Sequence, residues 1–433
     1  MSTSNVIGRV GKFNVSFRET TLSSHAGMVL VKEFASALAV PQIINSELSV
    51  KTRARGYSEA EAVMGLVYNL VAGGDSLSDL EVLRGDPGTK ELLGVAEIMA
   101  PTTAGEHLRK FSIGDIRDLQ RSNRTLQQQV RPHQQATTVT IDLDSSIYEQ
   151  SSAKKQGSTT AYNGEIGYHP LFAFWEETGE LVHSHLRRGS AYTASKVVWF
   201  MHEVLQRVPS QAARFVRADS GFYSKEVVGF CERKGLLFGI TADQTQRLLA
   251  KVTGLAEAEW QDLERYGVAQ VAEVRYQPVG WKQSYRYVVK RNLMENKKGE
   301  LYFRYHVLVT NDNERSAAEV LEWHLAHANM ENRIKEHKSG FGLEKLPTQK
   351  FHANWAYLLI GQMAFNLMAW FKRLVLPEQY QQSTIKTIRH QVLNVAGKIV
   401  QTGRKLYLVI SDQYRYQAVW EHAIKKLAAL GTA

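Results

Sequence analysis

The sequence predicts an α/β protein: a mixed β-sheet covered by helices, with further helical regions toward both ends of the chain. Three features lead there. Of the 433 residues, 44% are hydrophobic, enough to bury one large core or two to three smaller ones. From about 136, short β-prone runs follow one another as T-T-V-T-I-D-L-D, G-Y-H-P-L-F-A-F-W and E-L-V-H-S-H-L-R. Helix and strand then alternate through A-S-K-V-V-W-F-M-H-E-V-L, A-A-R-F-V-R-A-D, S-K-E-V-V-G-F-C-E-R-K and L-L-F-G-I-T-A. A meander followed by such alternation describes helices packed on a mixed sheet.

Taken in order, residues 1–130 carry few strand signals after a short start. V-K-E-F-A-S-A-L-A-V and E-A-E-A-V-M-G-L-V-Y-N-L-V-A show apolar residues at helical spacing. Ser58, with Glu61 three residues on, is a helix start of the capping-box kind. The segment A-P-T-T-A-G-E-H-L-R-K-F brings His107, Arg109 and Lys110 together, which fits a small helical DNA-binding region or a basic solvated face. Residues 136–245 and 310–350 form the α/β core. Between them, 245–310 alternates strongly in V-A-E-V-R-Y-Q-P-V and Y-R-Y-V-V-K-R around the turn residues of M-E-N-K-K-G-E, and reads as a β-rich insertion. Residues 350–433 read as a helical, basic region containing I-K-T-I-R-H-Q-V and Q-T-G-R-K-L-Y. Its longest apolar stretch, Trp355 to Phe371, is interrupted by Gln362 and Asn366 and is short for a membrane span, so it reads as a buried helix and no membrane partner is expected.

Charge narrows the partner. Lys and Arg number 53 against 43 Asp and Glu, a net +10 that favours a polyanion, with nucleic acid the first candidate. The lone Cys231 cannot make an internal disulfide, and in its apolar helical setting reads as a small buried residue in a reducing compartment. The first residues lack the apolar core of a signal peptide, so export is not expected. G-R-V-G-K-F lacks the spacing of a phosphate-binding loop, and neither G-x-G-x-x-G after a strand nor G-x-S-x-G occurs.

The chemistry points to three carboxylates far apart in sequence. In T-I-D-L-D-S-S, alternation puts Asp142 and Asp144 on one strand face. Two such groups repel unless a cation or strong donors lie between them, although Asp is also common where a strand simply runs into a turn. Asp219 ends the run R-F-V-R-A and precedes S-G-F-Y, the carboxyl end of a sheet strand beside a turn, where α/β proteins handle ligands. Asp219 or Ser220 would otherwise cap the next helix. Beyond 314, His324, His327, Glu331 and Lys338 recur about once per turn and form a polar stripe on a helix. That stripe reads as part of a site, as a solvated face, or as a His-x2-His-x3-Glu soft-metal set lacking further ligands. Asp144, Asp219 and Glu331 together would make a cage of hard oxygen ligands for two divalent ions, as phosphodiester chemistry requires.

With these segments in place, the chain resembles bacterial insertion-sequence transposases of the DDE class, in the group with a β-rich insertion between the second Asp and the Glu. The resemblance runs from about 136 to the end. Asp144 with Ser145 and Ser146 is similar to the first motif, D-x-[ST], with Asp142 the second candidate for that role. R-A-D-S-G-F around Asp219 is similar to the second motif. Glu331 and Lys338 fit the E-x6-K half of the signature Y-x2-R-x3-E-x6-K, and G-F-G-L-E-K-L-P, G-Y-H-P-L, F-H-A-N-W and F-N-L-M-A-W also look like family sequence. The Tyr and Arg positions hold His324 and His327.

The resemblance implies a ribonuclease-H-like core. It implies two Mg²⁺ ions, replaceable by Mn²⁺, bound by Asp144, Asp219 and Glu331, and DNA contacts from Lys338, His327, His324, Arg333 and Lys345. The implied partners are transposon terminal inverted repeats and target DNA, held by a homodimer in a synaptic complex in the bacterial cytoplasm. Trp260 and Trp281 of the insertion read either as platforms for a displaced base or as packing residues. A metal-dependent nuclease on the same core, or an inactive DNA-binding derivative, are the alternatives.

Overall fold

The computed structural model describes residues 6–10, 12–16, 21–51, 56–134, 136–263 and 269–431. The first five residues and Gly11, part of the N-terminal segment compared above with a signal peptide and a phosphate loop, lie outside the described residues. The chain divides into two units, one of residues 127–338 and one that joins residues 1–126 to 339–433.

The 127–338 unit is built on one mixed sheet. Its strands are β1 (Thr138–Ser145), β2 (Leu171–Trp175), β3 (Glu180–His185), β4 (Ala213–Ala218), β5 (Leu237–Thr241), β6 (Ala269–Tyr276), β7 (Tyr285–Glu295) and β8 (Leu301–Thr310). Between them run the helices α1 (Val197–Leu205), α2 (Lys225–Arg233) and α3 (Gln246–Thr253). The sheet order is β6-β7-β8-β5-β4-β1-β2-β3, with a short edge strand Gln261–Asp262 beside β6. β1, β4 and β5 are parallel, and β2, β3 and β8 run antiparallel to their neighbours. The segment β3-β2-β1-β4-β5 is the ribonuclease-H-like arrangement. It arises because Val139, Ile141 and Leu143 of β1 alternate into one core with Val216, Phe238, Ile240 and the apolar faces of α1 and α2.

The 245–310 segment is β-rich and continues the core sheet. β8 pairs with β5 from Gly239↔Thr310 to Thr241↔Leu308, so the 245–310 stretch extends the core sheet. The reason lies in its alternation. Tyr287, Val289, Val307 and Val309 enter the same core as β1, while Val288 and Leu308 meet Val320 and Leu321 on the opposite face. Both faces are covered, and β5 is spared an unpaired edge. Of the two tryptophans, Trp260 is 7% exposed with the Arg291 guanidinium 4.1 Å from its ring centre, and Trp281 stacks on Tyr223 at 5.3 Å. Packing is therefore the role both rings already fill.

The other unit is organised around the helix Phe351–Leu374, in which every residue from Ala353 to Phe371 is buried. Helix Glu59–Ala72 packs along it, Phe34 meets Phe371 edge-on at 5.7 Å, and Asn123 donates to the Leu359 carbonyl. Ser58 and Glu61 form the expected capping box. Residues 350–433 are not uniformly helical, because Gly397–Thr402 and Lys405–Val409 form a hairpin whose turn uses Gly403 at φ 60°. In each of two basic segments one residue is engaged by the unit's own packing. Arg389 donates to the carbonyls of Leu70, Val71 and Gly340 and so caps a helix C-terminus, and His107 is 5% exposed against Phe111. Among the described residues no single helix is long and apolar enough to cross a membrane.

Candidate catalytic site

Strand register brings the first two carboxylates together. β4 runs parallel to β1 with Arg217 beside Asp142 and Ala218 beside Leu143, so the next position sets Asp219 alongside Asp144. Alternation adds that Asp142 and Asp144 share a face, as do Arg217 and Asp219. The two acidic positions of β1 thereby meet different neighbours. The Arg217 guanidinium donates from Nε to Asp142 Oδ1 at 2.6 Å and from Nη2 to Oδ2 at 2.8 Å, both side chains being at most 2% exposed. His327 Nδ1 lies 3.0 Å from the same Oδ1. Burial opposes ionisation of Asp142, but the hydrogen bonds from His327 and Arg217 outweigh it and hold the carboxyl below its usual range. Asp142 is thus a buried anion already paired with Arg217 and hydrogen-bonded to His327. The strong donors that Asp142 requires come from Arg217 and His327.

Among the described residues Asp144 forms no ion pair. Its carboxyl is pushed up to about 7, first by burial, then by the charge of Asp219 and further by that of Glu331, against the Ser145 N–H and His327. Asp219 lies at the solvent rim, accepts from the Gly221 N–H at 3.0 Å and caps the short turn Ser220–Phe222; burial raises its carboxyl as well. Ser224, not Asp219 or Ser220, caps α2. A carboxyl raised by the charge of two neighbouring carboxylates belongs to a set with the donor chemistry of a divalent-cation site. Among the described residues no three side chains of suitable type are drawn tightly enough to close round an ion. As hard oxygen donors, Asp144, Asp219 and Glu331 would suit such ions.

Glu331 is exposed on α5 (Asn329–Lys335), which follows α4 (Ala317–Leu325) through a 3₁₀ turn, Ala326–Ala328, and runs into a π turn, Glu336–Gly340. The expected single stripe is broken by these changes of winding. Bonds on either side hold α5 in place. His327 binds Asp142, Asn329 and Arg333 bind the Glu176 carboxylate at 3.0 and 2.6 Å, and Lys338 Nζ donates to the Ile147 carbonyl at 2.8 Å. Tyr148 OH also meets His337 Nδ1 at 2.7 Å.

The packing gives the residues expected to contact DNA the following places. His324 is 3% exposed, bonded to Thr241 Oγ1 at 3.0 Å and pushed down to about 3 by burial and by the neighbouring His306 and His327, so it is a neutral interior group. It reaches the sheet because Gly239 has no Cβ; one would come within 2.7 Å of the Trp323 ring. Arg333 is committed to Glu176 and Lys338 to Ile147. Lys345 is exposed but belongs to the other unit. Arg217 and Glu176 were missed in the sequence, yet R-x-D on β4 facing D-x-D on β1 is a legible charge complement once the strands are paired in parallel.

Residues 7–432 match a family model described as Transposase DDE domain group 1. The chain belongs to this family of DDE transposases. As a DDE transposase it is an enzyme of the endonuclease and DNA-strand-transferase kind, from a family that works with divalent metals. No curated protein matches the transposase sequence. One similar solved structure is the cryo-EM structure of the piggyBac transposase synaptic complex with hairpin DNA, at TM-score 0.46 and 12% identity over 84% of this chain and 79% of that one.

Proposed function

We propose that this transposase cuts the ends of a bacterial insertion sequence and joins them to target DNA, with Asp144, Asp219 and Glu331 as the catalytic carboxylates. The observation that carries the reading is their convergence. Residues from β1, from the end of β4 and from α5 come close enough for Asp219 and Glu331 to raise the Asp144 carboxyl. Two Mg²⁺ ions, replaceable by Mn²⁺, would be held by these groups and would supply Lewis-acid activation of the attacking oxygen and charge stabilisation at phosphorus.

The chain's own residues do the rest. Arg217 neutralises Asp142 and keeps its charge out of the ligand set. Glu176, through Asn329 and Arg333, holds α5 so that Glu331 stays opposite the two aspartates. His327 opposes the upward shift of the Asp144 and Asp219 carboxyls. The net +10 suits a DNA partner, and a homodimer would hold two transposon ends at once. The place of action would be the bacterial cytoplasm, at the nucleoid.

The deciding experiment is Mg²⁺-dependent cleavage and joining of DNA carrying the gene's own flanking ends, with the wild type compared with Asp219→Ala. Nicked ends and joined products only with intact protein support the reading. Cleavage retained by Asp219→Ala overturns the site, and nicking without joining leaves a nuclease.

A further inference from the structure

A loop tied to the rim of the proposed carboxylate site carries a largely exposed aromatic ring, Tyr192. It runs from Leu186 to Lys196 as L-R-R-G-S-A-Y-T-A-S-K and contains no acidic residue. At its centre is Arg187, 5% exposed, which donates from Nε to the His169 carbonyl at 2.7 Å. Its Nη1 lies within reach of the Tyr192, Thr193 and Ser195 carbonyls at 3.1, 2.8 and 3.2 Å. A buried guanidinium spent on four backbone oxygens fixes the loop's path. Gly189 is needed at the close crossing, since a Cβ there would lie 2.2 Å from the Thr159 carbonyl oxygen and 2.3 Å from that of Gly167.

The loop touches both aspartate segments. His169 is nearly enclosed at 1% exposed, and one ring nitrogen meets the Ala191 carbonyl at 2.9 Å while the other meets Ser145 Oγ at 2.8 Å. A carbonyl only accepts, so Nδ1 carries the proton; burial favours the neutral ring, and Nε2 then accepts from the hydroxyl of the residue next to Asp144. On the other side, a Cβ on Gly221 would lie 2.7 Å from Thr193 Cγ2 and 3.2 Å from Asp219 Oδ1. Tyr192 stands between these two anchors, 72% exposed. Tyr162, 79% exposed, sits with its ring centre 5.5 Å from that of His169. Arg188 and Lys196 are exposed on the same loop and form no ion pair among the described residues.

We propose that Tyr192, flanked by Tyr162, is a stacking platform for an unpaired base of the DNA strand beside the scissile phosphate, with Arg188 and Lys196 taking adjoining phosphates. The proposal rests on the carboxylate site assigned above. An aromatic ring held out in water on a loop already fixed by a buried arginine loses little freedom when it binds, and a base offers the flat apolar face that matches it. Within a duplex that face is covered, so the occupant is an unstacked base. The unpaired cations and the lack of acidic residues on the loop favour a phosphate-bearing strand over a protein partner.

The test uses full-length protein, without divalent metal, and a transposon-end DNA with 2-aminopurine beside the expected cleavage position. Tyr192→Ala is expected to weaken binding by about tenfold and change the bound-state emission, and Tyr192→Phe to restore both. Arg188→Ala is expected to lower the salt dependence of binding, which Tyr192→Ala leaves unchanged. Binding and emission unaltered in Tyr192→Ala, emission unaltered despite weaker binding, or failure of Tyr192→Phe to restore them would each overturn the base platform. Adding Mg²⁺ to the same DNA separates the two readings. Absence of wild-type cleavage counts against the carboxylate assignment, whereas wild-type cleavage with an unaffected Tyr192→Ala counts against the platform alone.

Discussion

Asp142 and Asp144 are two residues apart on one strand face, yet their environments drive their protonation in opposite directions. Asp142 shares a closed space with Arg217, and each is a charge that the other must neutralise. Arg217→Met should therefore destabilise the protein by about 3–5 kcal/mol in urea denaturation, and adding Asp142→Asn should recover part of that loss. A loss below about 1 kcal/mol would mean the pair is hydrated. Asp144 behaves in the reverse sense. Its folded value of about 7 lies above that of an unfolded aspartate, so the folded state binds the extra proton and this group's contribution to stability falls as pH rises from about 4 to 7. In EDTA at pH 8, Asp144→Asn should raise the melting temperature by a few degrees while abolishing Mg²⁺-dependent cleavage. A lower melting temperature at pH 8 would show that Asp144 is not electrostatically frustrated. The sequence displayed both aspartates and the need for a counter-charge. It did not display which of them Arg217 answers, because that depends on pairing two strands 75 residues apart.

At the level of elements, strands were more legible than helical geometry. β1, β4 and β5 announce themselves by short apolar runs with alternation, and the turn after Asp219 by its glycine. The segment from His324 to Lys338 announces only that it is helical. Its passage from α-helix through a 3₁₀ turn into α5 and a π turn changes the angular step at each junction, and no residue type in A-H-A-N or E-H-K-S-G specifies that change. The consequence for reading side chains is direct. A uniform 3.6-residue repeat gives His324, His327, Glu331 and Lys338 one common exposure, whereas the structure buries His324 and turns Lys338 onto the Ile147 carbonyl and the Tyr148 ring. Helical spacing located the third carboxylate correctly as a helix residue, and long-range packing decided the duties of its neighbours. The 245–310 stretch teaches the same lesson for sheets: alternation revealed its strands, but only the pairing of β8 with β5 shows that they widen the core sheet.

Across the whole chain, the polypeptide leaves its first unit after about residue 126 and returns to it at 339. The N-terminal helices Met28–Ala37 and Glu59–Ala72 bury Phe34, Val63, Leu66, Val67 and Leu70, and they belong to the same unit as Phe351–Leu374 from near the other end of the sequence. Sequence reading set these regions apart as 1–130 and 350–433 because a core completed by two distant segments leaves no local mark in either. A fragment of residues 1–134, which keeps the helix Ile113–Val130 whole, lacks the central helix and would expose those apolar faces to water. It should therefore show a broad, non-cooperative thermal melt and bind a hydrophobic dye. Supplying 339–433 as a second chain should restore a sigmoidal melt, because the missing apolar partner is then present. A sharp cooperative melt of 1–134 alone would show that the N-terminal helices hold a core of their own, and that the two ends of the chain are separate folding units.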